Sequence, residues 1–261
     1  MKLYESSLYG TINEPENIFE LFELIIGKSN NKDFSVKLWR GQSDISWRID
    51  SGAYRRFLFT KLSIRERDIV HYEKSLLRRA RHKGYGIDNG ILLSDMELLA
   101  RLQHHGAATR LVDFSKNSLV ALWFCVNNVT EDYGLLVGID TNYIGGMEDV
   151  LDDNLKDYSS AIKNYSYSHP MLIEPPVVSK RIAAQHGVFL YSDISQSDMG
   201  SLKIPLEGQN IFIAISPELK KVSRQVLIDT FDLRKETLFP DLDGFSSANS
   251  FRENPRETYR W

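Results

Sequence analysis

One cysteine in 261 residues, Cys125, excludes an internal disulfide framework and a cysteine-based zinc cluster. It stands within "SLVALWFCV", where burial as a small hydrophobe is the expected state. Long apolar runs are also missing, and none approaches the roughly twenty residues of a membrane span. The opening "MKLYESSLYGT" has no apolar core of signal-peptide length, so the chain is expected to be cytoplasmic and to have no membrane partner. Nor does one charge dominate: Lys plus Arg number 32 against 35 Asp plus Glu, a formal net charge of −3. That balance argues against bulk nucleic acid as a partner and leaves room for a local basic patch. Arg65, Arg67, Lys74, Arg78, Arg79, Arg81 and Lys83 form one, to be weighed as a solvated helix face or a phosphate-backbone site. With no internal repeat and no linker, residues 1–261 are expected to form a single domain.

What is present is a mixed series of helical and strand patterns. "PENIFELFELII", residues 15–26, has helical spacing, with Pro15 suited to the first turn and Gly27 to the stop. Strands are expected at 36–40, 108–113, 134–139, 188–192 and 210–215. A long helix is expected over about Ser63 to His82. Ser94 with Glu97 has the spacing of a capping box, and that helix should end at Gly106. "SLVALWFCV" is apolar all round and therefore reads as a buried helix, with Leu119, Leu122, Trp123 and Val126 inward. "PELKKVSRQVLIDTF" is helix-like, and "FPDLDG" a turn. Residues 141–168 lack periodicity and suggest an insertion or lid, and 254–261 a loose tail. The fold class is α+β: a split, mixed or antiparallel sheet with helices.

Polar residues interrupt the apolar runs in a few places. In "VKLWRGQ" alternation places Val36, Leu38 and Arg40 on one face, where a guanidinium without a counter-charge is costly. Its planar fork suits a phosphate, a carboxylate or a ribose edge, and Gly41 would let such a ligand approach the backbone. A structural salt bridge at the strand end is the competing reading. In "QHHGAATRLVDFS" Thr109, Arg110 and Asp113 follow the end of a helix, and Arg110 and Asp113 can pair with each other. His104 and His105 have no metal partner at a recognisable spacing, so no metal is expected. In "KRIAAQHGVFLYSD" Arg181 and Gln185 share one face of a helical turn. The Gln185 amide can donate and accept but cannot act as a base.

Trp39-Arg40-Gly41, "LLARLQHHGAATRLVDFSKNSLVALWFC", "RIAAQHGVFLYS" and "TLFPDLDG" occur in that order between residues 36 and 244. The ordered set resembles the FRG-domain family of bacterial and phage proteins, named for a Phe/Tyr-Arg-Gly motif; Trp39 stands in for the first aromatic. The resemblance implies a setting in phage defence or a toxin system, with a macromolecular target or phage-derived trigger as partner. More remotely, the chain is similar to ADP-ribosyltransferase-like folds, in which a first strand ends in Arg-Gly and that arginine holds the NAD ribose or phosphate. That similarity implies NAD as substrate, bound by Arg40, Gly41, Gln42, Thr109, Arg110 and Arg181. It also puts Gln185 where such folds carry a catalytic glutamate. Either another acid such as Asp113 supplies the carboxylate, or catalysis is slow, or NAD-like ligands are bound without turnover; on the first reading Arg40, Gln185 and Asp113 are the catalytic set. Two alternatives stay open: a non-catalytic nucleotide- or protein-binding sensor, and an NAD-dependent RNA 2′-phosphotransferase-like activity. The last calls for several phosphate-gripping arginines, for which Arg48, Arg55, Arg56 and Arg110 are available.

Overall fold

The computed structural model describes residues 1–30, 35–128, 131–145, 156–162, 169–175, 179–205 and 207–251. Its strands are β1 (Lys2–Ser6), β2 (Gly10–Glu14), β3 (Val36–Gln42), β4 (Ile87–Asp88), β5 (Ile91–Leu92), β6 (Val112–Ser115), β7 (Gly134–Asp140), β8 (Met171–Ile173), β9 (Gly187–Tyr191) and β10 (Ile211–Ile215). The helices are α1 (Ile18–Asn30), α2 (Gly52–Leu58), α3 (Glu66–His82), α4 (Asp95–His104), α5 (Ser118–Val126), α6 (Tyr158–Ile162), α7 (Lys180–Ala184), α8 (Pro217–Phe231), α9 (Lys235–Leu238) and α10 (Leu242–Ala248).

Eight strands make one mixed sheet in the order β1-β2-β10-β7-β3-β6-β9-β8, and β4 pairs with β5 in a separate hairpin. Neighbours are antiparallel except β2 and β10, which run parallel and meet at Ile213 and Asn13. In the middle, β3 and β6 share one paired position, Trp39 with Ser115. The sheet is therefore two halves, β1 through β3 and β6 through β8, joined at a narrow seam. Helices α1, α5 and α8 cover one face around Trp39, Trp123, Ile213 and Leu227. The opposite layer holds Leu38, Ile49, Val112, Val137 and Leu190, and α3, α4 and α6 enclose a third around Met96, Leu99, Leu111 and Phe189. The expected single mixed-sheet α+β domain is observed.

Local chemistry accounts for the sharpest boundaries. Ser94 Oγ accepts from the Glu97 amide at 3.2 Å and a Glu97 carboxylate oxygen accepts from the Ser94 amide at 2.7 Å, the expected capping box of α4. Gly106 follows that helix at φ 84, a left-handed conformation that glycine adopts without steric cost. Helix α5 is buried as expected, although Leu119 is only half-buried.

Several boundaries are corrected. Helix α1 begins after Asn17, whose side chain accepts from the Phe19 and Glu20 amides, and it continues through Gly27 to Asn30. The expected strand at 108–113 starts only at Val112. Asp241 caps α10 rather than closing a turn, its carboxylate accepting from the Gly244 amide at 2.7 Å. Of the expected lid at 141–168, Thr141–Tyr143 form a short 3-10 turn and α6 packs against α4; residues 146–155 and 163–168 lie outside the described residues, as does the expected loose tail at 254–261. No described helix is long and apolar enough to cross a membrane.

Candidate functional site

Strand β3 does not alternate as its sequence suggests. Its register against β7 slips between Val36 and Leu38, a one-residue irregularity. Val36 consequently packs with Trp39 beneath α5, and Leu38 enters the opposite layer. Arg40 and Gln42 continue the Leu38 face. Gln42 is 4% exposed; its Oε1 accepts from Arg40 Nε at 3.1 Å and its Nε2 donates to the Trp47 carbonyl at 2.9 Å. Gln42 is thus a brace for Arg40 rather than part of a cavity wall.

Arg40 also reaches across the seam, its Nη1 donating to the Asp113 main-chain carbonyl at 2.8 Å. These bonds use two of the five guanidinium donors, and no carboxylate among the described residues pairs with it. Burial draws the Arg40 pKa below its ordinary value; Asp113 opposes the shift, and the nearby Arg55 charge reinforces it. No structural salt bridge forms at the strand end among the described residues. A half-buried cation short of counter-charge stands in its place.

Two cavities meet at Arg40, Gln103 and Asp113, which line both. The first, of about 360 Å³, has a wall of Phe124, Phe189 and Phe239, with His104, Ser115, Arg181 and Gln185 among its other polar groups. The second, of about 570 Å³, lies beside α2 and is lined by Arg55, Arg56, Phe59 and Asp50. The Asp113 carboxylate is exposed and makes no hydrogen bond or ion pair among the described residues.

In the first cavity Arg181 pairs with Asp241, at 2.9 Å from Nε and 2.7 Å from Nη2, and its guanidinium lies 4.8 Å from the centre of the Phe239 ring. Burial pushes the Asp241 carboxyl up, but the Gly244 amide and Arg181 outweigh it and hold it below the usual range. Gln185 ends α7; its Nε2 donates to the Leu238 carbonyl at 3.0 Å and its own carbonyl accepts from Ser115 Oγ at 2.7 Å. The Gln185 Oε1 has no partner among the described residues. Burial lowers the His104 pKa, and the charges of Arg181 and His105 add to that shift. Among the described residues no group of three His, Cys, Asp or Glu side chains converges as metal ligands would.

Arg40, Asp113, Arg181 and Gln185 are therefore brought together. Arg110 and Thr109 are not. Arg110 is 2% exposed and bonded to Glu73 at 2.6 Å, Glu66 at 2.8 Å and the Tyr158 hydroxyl at 2.8 Å, so it pairs with neither Asp113 nor a ligand. Thr109 is buried and its hydroxyl donates to Gln103. Gly41 borders the first cavity for a reason other than ligand approach. A Cβ there would stand 2.6 Å from the Cys125 amide nitrogen and closer still to the Ala121 carbonyl, so the missing side chain admits helix α5. Of the arginines weighed for phosphates, Arg48 lies 3.4 Å from Asp50, whereas Arg55 and Arg56 line the second cavity. Gln103 and His104 were not expected at the site. Their signal is positional: the last turn of a capped helix, linked by a few residues to β6, has to lie beside that strand.

No curated protein and no solved structure matches the chain. A family model described as "FRG domain" matches residues 35–133, from the start of β3 past the end of α5. That segment, which is similar to an FRG domain, contributes Arg40, Gln103 and Asp113, the three residues shared by both cavities.

Proposed function

We propose that the cleft binds an NAD-type dinucleotide as a substrate, for cleavage of the nicotinamide–ribose bond or transfer of ADP-ribose, within a phage-defence or toxin system. The observation that carries this reading is Arg40. Its uncommitted donors lie at the junction of the cavities without a protein carboxylate, as a guanidinium reserved for phosphate or ribose oxygens would. The aromatic wall of the first cavity suits a planar ring. A sheet split beside an Arg-Gly strand, with Gln185 across the cleft, supports the likeness to ADP-ribosyltransferase-like folds.

When the bond breaks, its electron pair leaves with nicotinamide and positive charge develops on the ribose, until a nucleophile, water in cleavage or the acceptor in transfer, bonds to the ribose carbon and gives up its proton. A nearby carboxylate stabilises that charge. Asp113, unpaired and lining both cavities, is the residue available for it. Gln185 Oε1 can accept from a ribose hydroxyl and orient the sugar. The competing reading, a sensor that binds without turnover, is favoured by the amide at 185, which is tied to Leu238 and carries no charge.

Calorimetry with NAD, together with an assay for free nicotinamide, tests the proposal. Saturable binding with nicotinamide release that is lost in Asp113→Asn is the expected result. Binding without release leaves the sensor, and absence of binding overturns both.

A further inference from the structure

We infer that the second cavity is a phosphate-binding site, formed by Arg40 and Arg55 with Arg56 beside them, and that it takes a phosphate monoester carried by the acceptor. Calling the ligand an acceptor rests on the dinucleotide reading; the phosphate site itself does not.

The charge balance of the cavity leads to this assignment. Three guanidiniums line it, from Arg40, Arg55 and Arg56. Among the described residues Arg55, which is exposed, makes no hydrogen bond or ion pair, and Arg40 has no carboxylate partner. Arg56 rests 5.4 Å from the centre of the Tyr72 ring, again without an acidic partner. Two carboxylates also line the cavity, but Asp50 is already committed: its Oδ1 accepts from the Ser201 amide at 2.6 Å and its Oδ2 lies 3.4 Å from Arg48 Nε. Asp50 is 7% exposed, and the Arg48 guanidinium offsets its charge. Three cations thus face one uncommitted carboxylate, Asp113, at the junction with the first cavity.

Arg40 and Arg55 repel each other closely enough to disfavour the charged form of Arg40. An anion between them removes that repulsion. A phosphate monoester, with several acceptor oxygens and up to two charges, fits paired guanidinium forks better than a single carboxylate does. The cavity, at about 570 Å³, also has room for the group that bears the phosphate. Phe59 lines it with a ring that is 90% exposed, a face on which a base can stack.

The test is calorimetric titration of the intact protein, at low salt, with AMP, ribose 5-phosphate and unphosphorylated adenosine. Both phosphates are expected to bind saturably and adenosine is not. Arg55→Ala should weaken both by roughly tenfold, the loss of one charge-assisted contact. Arg67→Ala removes the same charge from the exposed face of α3, outside both cavities, and should change affinity by less than about twofold. Phe59→Ala separates two sources of the phosphate: weakening of AMP alone assigns the site to nucleotide ends, and no effect assigns it to sugar phosphates. Absence of saturable phosphate binding overturns the inference, as does an Arg67→Ala loss equal to that of Arg55→Ala. No NAD is present in these titrations, so their failure is distinguishable from failure of NAD to bind or release nicotinamide.

Discussion

Arg40 Nη1 is held at 2.8 Å by the main-chain carbonyl of Asp113, whereas the Asp113 carboxylate has no partner among the described residues. One residue thereby does two separable things. Its backbone fixes the guanidinium across the seam, and its side chain remains available to the cleft. Asp113→Asn removes the charge without releasing Arg40, which makes it a clean variant for the chemistry.

Arg40→Lys keeps the charge and should lose the site. Lysine offers a point charge, and one ammonium cannot serve Gln42, the Asp113 carbonyl and a ligand with the same geometry. NAD affinity measured by calorimetry is expected to fall by roughly tenfold or more. Wild-type affinity in the lysine variant would remove Arg40 from the binding site.

Gln185→Glu replaces the amide that donates to the Leu238 carbonyl with an acceptor-only group. The variant should lose about 1–3 kcal/mol of stability, visible as a lower melting temperature. A faster release of nicotinamide despite that loss would place position 185 against the reacting ribose. An unchanged rate leaves it as a brace between β9 and α9.

Gly41→Ala should destabilise the protein by about 1–3 kcal/mol or more, because the added methyl meets the backbone of α5. A denaturant titration with a lower midpoint and unchanged slope is the expected result. A variant within about 0.5 kcal/mol of wild type would contradict the packing.

Glu73→Ala deserts a buried cation. Glu73 is 0% exposed and accepts from both the backbone and the guanidinium of Arg110, which partly exposed Glu66 also contacts. The expected loss is roughly 3–5 kcal/mol by urea unfolding. Retention of wild-type stability would mean that the network is not formed in solution.

His104 gives the fold a pH response. Its folded pKa lies below the ordinary 6.5, chiefly through burial, with Arg181 and His105 adding and Asp241 and Asp113 opposing. As pH falls through about 6.5 the unfolded chain takes up this proton first, so unfolding is favoured. The loss levels off once pH passes below the folded value. Melting temperatures at pH 5 and pH 7 should therefore converge in His104→Gln relative to wild type, and an unchanged difference would contradict the assignment.

Features decided by neighbouring residues were legible in the sequence. Ser94 and Glu97 announce α4 because the capping contacts are three residues apart, and α5 announces its burial because it has no polar face. The hairpin of β1 and β2 left no such trace: much of it is exposed, so alternation is weak. At the site, Arg40 is visible as a charge on a buried-strand pattern. The bulge that reassigns Val36 is not, since it depends on β7. Arg110 looked like a ligand residue because its partners, Glu66 and Glu73, lie in a distant helix. Gly41 misled for the same reason: the backbone that needs its space belongs to α5.

The amino-terminal hairpin has a protective consequence. Strand β10 reads IFIAI, five apolar residues with no charge and no proline, and β2 lies along the edge that β7 leaves open. Strip away β1 and β2 and that edge becomes a row of unpaired amides and carbonyls on a strongly β-forming segment, the kind of template on which a second chain can add. The polar strand β1, carrying Lys2 and Glu5, then stands at the border as the gatekeeper that keeps this sheet from growing into a polymer.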